Sequence, residues 1–105
     1  MMASVNLFSR TPRELRDLEK QIISARASFA LASRLDPAQR DENEATAAQW
    51  IEDALATAIA AGHTEQARAM LERYELPPET ADNAAAGAWS DLVASARARL
   101  GAPNL

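Results

Sequence analysis

The sequence predicts an all-α fold, a compact bundle of about four helices built on an antiparallel helical hairpin, and three observations lead there. Alanine supplies 25 of the 105 residues against four isoleucines, two valines and three glycines, a composition that favours helix and leaves few β-branched residues for strands. Apolar residues recur at three- and four-residue spacings. The segments so marked are bounded by helix punctuation: Thr11-Pro12 and Asp36-Pro37 at starts, Gly62 and Gly101 at ends.

The first helix is expected over 12–34. Thr11 is placed to cap it, Pro12 to occupy its first turn and Glu14 to close a capping box. Leu15, Leu18, Ile22, Ala25, Phe29 and Ala32 form a heptad-like seam along about 34 Å of helix at 1.5 Å per residue. A second helix, 37–61, opens on Asp36-Pro37 and closes on Gly62. Its later part places Trp50, Ile51, Ala54, Leu55, Ala58 and Ile59 on a broad face, which predicts core packing for Trp50. Its first third, Ala38 to Gln49, holds nothing apolar larger than alanine and carries Asp41, Glu42 and Glu44.

Thr64 can cap a short third helix over 65–75, which Leu76-Pro77-Pro78 ends. The fourth helix is expected over 78–100, with Trp89 in the core and Gly87 among alanines inviting close approach of another backbone. The very short link between the first two helices predicts a hairpin that sets Leu15 and Leu18 opposite Leu55 and Ile59. Phe29, Leu31 and Leu35 then face the alanine-and-acid third of helix two. They must find bulk from Trp89 and Leu92 or from a second chain. Gly62, Glu65, Ala67 and Leu71, after the helix holding Ile51 and Leu55, resemble the turn and second helix of a tetratricopeptide hairpin over about 25 residues. Leu55 and Tyr74 depart from that family's small residues, and no second copy follows.

Domain organisation reads as an irregular N-terminal arm, 1–10, and a single helical domain, 11–105. With 48% apolar and 25% charged residues, the chain suits one modest core. It contains no cysteine, so disulfides, thiolate nucleophiles and cysteine metal sites are excluded. No apolar stretch approaches a signal sequence or a membrane span, which predicts a soluble, cytoplasmic protein.

Catalysis is not expected. His63 is the only histidine and falls in the Gly62–Thr64 turn, where a solvated role is expected. Asp41 and Glu44 share a helical face but read as solubilising charge rather than an acid–base pair. No phosphate loop or metal-binding spacing occurs, so neither a cofactor nor a metal is expected.

Charge is segregated: residues 1–35 carry a net +3 and residues 36–66 a net −6. Arg13, Lys20 and Arg34 fall at heptad position f of helix one, opposite the seam, with Arg16 beside them. The leading expectation is a protein–protein interaction module acting as a regulator, inhibitor or assembly subunit. Its candidate partner-binding residues are Val5, Leu7 and Phe8 of the arm, Arg13, Arg16, Lys20 and Arg34 of the basic face, and Phe29, Leu31 and Leu35. The basic row also suits nucleic acid, whose binding would weaken with salt. Small size and acidity further suit a phage or mobile-element inhibitor of a host defence complex, anti-CRISPR-like in character. A homodimer is compatible with the uncovered end of the hairpin.

Overall fold

The computed structural model describes residues 11–101. Among them are four α-helices, one 3-10 turn and no strand. Helix α1 spans Arg13–Ala30, and its seam residues Leu15, Leu18, Ile22, Ala25 and Phe29 are all buried. Pro12 rather than Thr11 holds the cap position, with ψ of 145° and no side-chain cap. Its carbonyl accepts from the Leu15 and Arg16 amides at 3.1 Å, so the expected Thr11–Glu14 box does not form. α1 also ends earlier than expected. The chain tightens into a 3-10 turn at Ala32–Arg34 and extends at Leu35, because Asp36 precedes a proline and avoids helical geometry.

Helix α2, Pro37–Ala60, begins with the capping box its sequence announces: the Gln39 amide donates to Asp36 at 2.9 Å and the Asp36 amide to the Gln39 side chain at 3.3 Å. It ends on Gly62, with φ of +87°. The His63 amide donates to Ala58 and the Gly62 amide to Ile59, both at 2.9 Å, the paired bonds of a left-handed helix stop. Helix α3, Thr64–Arg73, follows at once, with His63 at its cap position and Thr64 already inside the helix.

Helix α4, Asn83–Arg99, starts five residues later than the sequence suggested. Pro77-Pro78 lies in the connection. The cap is Asp82, whose carboxylate accepts from the Ala85 amide at 2.9 Å. Arg40 fixes that cap with a 2.8 Å ion pair to Asp82. The same guanidinium donates to the Ala32 carbonyl at 3.1 and 3.2 Å, joining the α1–α2 corner to the start of α4.

One core runs through all four helices, and no polar residue is buried among the described residues. α1 and α2 form the expected hairpin, with Leu15, Leu18 and Leu55 buried and Ile59 packed against them. Among the described residues, seven of the 18 buried apolar side chains are alanines, which lets the helix axes approach closely. Phe29 is covered from within: its ring meets Trp89 edge-on, 5.3 Å between centroids at 74°.

Two glycines give predictions of opposite sign. Gly62 needs its positive φ although space around it is open, so Gly62→Ala costs ~1–2 kcal/mol in urea unfolding. Gly87 is helical and exposed, with nothing within 4 Å of an added Cβ, so no backbone approaches it as the sequence had suggested. Gly87→Ala therefore stabilises by ~0.5–1 kcal/mol in the same measurement.

Candidate functional site

The predicted contact residues do not assemble into one surface. Phe29 is buried, because Trp89 from α4 supplies the bulk that α2 lacks. Leu31 is 52% exposed and Leu35 is half-buried. Arg34 is exposed in the 3-10 turn beyond α1, so it does not continue the row of Arg13 and Lys20. Arg13, Arg16 and Lys20 are all exposed on α1. Val5, Leu7 and Phe8 lie outside the described residues.

Two features were missed from sequence. Trp50 is 39% exposed rather than in the core, and it lines a polar hollow between α1 and α2 with Glu14, Asp17, Lys20 and Asp53. Arg26 is the second. Its guanidinium lies 5.7 Å from the Tyr74 ring centre and 5.5 Å from that of Trp89, within cation–π range. It donates to the carbonyls of Tyr74, at 3.2 Å, and of Leu76. The Trp89 indole N–H donates to the same Tyr74 carbonyl at 3.1 Å. Nearby, the Tyr74 hydroxyl donates to Glu19 at 2.6 Å, and this bond is the main reason the phenol is raised above its ordinary pKa. These contacts tether the α3–α4 connection to α1, and Leu76 projects from it 75% exposed.

His63 sits with its Nε2 3.5 Å from Glu14, linking the α3 start to the α1 start. No cluster of three or more metal-ligating side chains occurs among the described residues. No helix in them is long and apolar enough to cross a membrane.

A groove of about 410 Å³ with an apolar lining runs between α2 and α4. Ala45, Ala48 and Ile51 form one wall and Ala88, Leu92 and Ala96 the other, over Phe29. Its rim carries Asp41, Glu44, Glu52 and Asp91. The groove exists because the first part of α2 offers no apolar side chain larger than alanine where α4 crosses it, so no bulky side chain fills the space between them. Only Glu52 of the four acids has a cation within ion-pair distance among the described residues, Arg99 at 3.6 Å. Partial burial lifts the Glu44 carboxyl above its ordinary 4.5, reinforced by Asp41 and Asp82 and opposed by Arg40. Asp82 moves the other way: the Ala85 amide and then the Arg40 guanidinium hold it below its ordinary 3.8. Folding thus favours protonated Glu44, a contribution that fades as pH rises above 4.5. The Asp82 cap contributes fully above pH 3.8 and is lost as pH falls through its depressed value.

No protein-family model matches this chain, and no curated protein or solved structure matches it.

Proposed function

We propose that the protein works by docking on another protein, as a regulator or assembly subunit, and that the α2–α4 groove is its principal contact. The observation that carries this reading is the pairing of an apolar floor with an acidic rim in one concavity. Ala45, Ala48, Ala88 and Leu92 offer a seat for an apolar side chain, worth ~25 cal/mol per Å² of apolar surface covered. Asp41, Glu44 and Asp91 select cations on either side of it and speed encounter. The matching ligand is an amphipathic helix with an apolar residue flanked by Lys or Arg. Nucleic acid is a weaker fit. Lys20 shares its hollow with Glu14, Asp17 and Asp53, which would repel phosphates next to the basic row.

The test is a titration with an amphipathic helical peptide of leucine and lysine, followed by amide chemical shifts. Shifts are expected at Ala45, Ala48, Leu92 and Ser95, and reversing two rim charges with Glu44→Lys and Asp91→Lys is expected to weaken binding at least ~10-fold. Shifts confined to other surfaces, or an affinity indifferent to the reversal, would contradict the reading.

A further inference from the structure

We propose that the occupant of the α2–α4 groove is a second copy of this chain, inserted through the outer face of α1. The inference rests on the docking reading above and names the partner. α1 buries its heptad seam, yet a second stripe at the same spacing stays outside: Arg16, Lys20, Ile23 and Ala27 are all exposed. Ile23 is 51% exposed and shares a shallow hollow with Arg16, Lys20 and Glu19, whose carboxylate is already engaged by Arg73 and the Tyr74 hydroxyl. The stripe brings an exposed branched apolar residue and two cations, both on its N-terminal side, to a groove that selects apolar surface and positive charge.

The spacings agree as well as the charges. Arg16 and Ile23 are seven residues apart on α1, about 10.5 Å of rise, and Asp41 and Ala48 are seven apart on α2. An incoming α1 laid parallel to α2 therefore sets Arg16 at Asp41 while Ile23 reaches Ala48. Lys20, four residues along, falls beside Glu44 and Ala45. On the other wall, Asp91 stands between Ala88 and Leu92 in sequence and faces the same groove. The antiparallel alternative brings Arg16 toward Glu52, which already has Arg99 beside it. Small residues at 45, 48 and 88 allow the incoming helix a close approach. Among the described residues, the carboxylate ion pairs engage Arg40, Arg68, Arg73, Arg97 and Arg99 and leave Arg16 and Lys20 without one.

Stripe and groove are different surfaces, so the contact is heterologous: each copy that donates its stripe keeps its own groove. This gives a test that needs only the full-length chain. In sedimentation at low salt, the average mass should climb with concentration, and added salt should lower it as the charge pairs are screened. A stripe variant, Arg16→Gln with Lys20→Gln, and a groove variant, Glu44→Lys with Asp91→Lys, should each sediment as one chain. Arg16, Lys20 and Asp91 are exposed and Glu44 is half-buried, and unchanged helical circular dichroism verifies that each variant is folded. Mixed in equal amounts, the two variants retain one intact groove and one intact stripe between them. The mixture should recover association and stop at two chains.

The proposal is overturned if the native chain keeps the mass of one chain up to about 1 mM, if either variant assembles like the native chain, or if the mixture stays dissociated. A native chain that remains single while its groove still binds the leucine–lysine peptide removes the second copy and leaves the docking reading intact. Failure of both measurements removes both.

Discussion

Trp89→Ala lowers the unfolding free energy by about 3–5 kcal/mol, read as a fall in the urea midpoint. The indole is 1% exposed, meets Phe29 edge-on and donates to the Tyr74 carbonyl. Truncation opens a void beside the Phe29 ring at the end of α1 and removes one of the two donors to the Tyr74 carbonyl. A domain of this size holds only ~5–15 kcal/mol in total, and the variant is therefore expected to be partly unfolded without denaturant at the upper end of that loss. Trp50→Ala, at the surface, is the matched comparison and should stay within ~0.5 kcal/mol of the native chain. Equal losses from the two substitutions would contradict the assignment of Trp89 as the closing residue of the core.

Replacing Arg26 by methionine costs about 2 kcal/mol, the scale of hydrogen bonds made by a charged donor. Methionine keeps most of the apolar stem against Tyr74 and Trp89, so the loss isolates the guanidinium. What goes is the stacking on two rings and the donation to Tyr74 and Leu76, which lie about fifty positions along the chain. Arg26→Lys should recover less than half of the loss, because an ammonium has no planar fork to stack and bridge at once. Hydrogen exchange supplies the discriminating readout. Protection should fall first at the start of α4 and in the preceding connection, with the α1–α2 hairpin retaining its own. A uniform fall across all four helices would mean that Arg26 contributes general packing and no specific tether.

The hairpin was legible in the sequence because its seam is unambiguous: Leu15, Leu18, Ile22, Ala25 and Phe29 alternate three and four apart, and a one-residue shift would bury charge. Helix ends were less legible. Thr11-Pro12 and Asp36-Pro37 look alike, yet of the two only Asp36 caps, with Gln39 returning its bond, whereas the first helix starts one residue later with Pro12 at the cap. Pro78 imitated the same grammar, whereas the true cap is Asp82, whose carboxylate accepts from the Ala85 amide.

Trp50 was misplaced by one position. Residues 47, 51, 55 and 58 form the buried line of α2, and its neighbour in sequence points about 100° away. Arg26 escaped notice because heptad reasoning sends cations outward, and nothing local shows that two aromatic rings from α3 and α4 come to meet it. The groove had half a signal. The bulk-free first third of α2 was visible, but whether the missing volume would be filled by another helix or left open depends on where α4 crosses, a property of the whole assembly of helices.

The contrasting settings of the two tryptophans equip the molecule with two separate optical reporters. The interior indole, dry and shielded, should emit toward the blue and resist acrylamide. The surface indole, beside Lys20, should emit toward the red and be quenched readily. A single fluorescence spectrum can therefore distinguish loosening of the interior from a change at the α1–α2 surface, with no label attached.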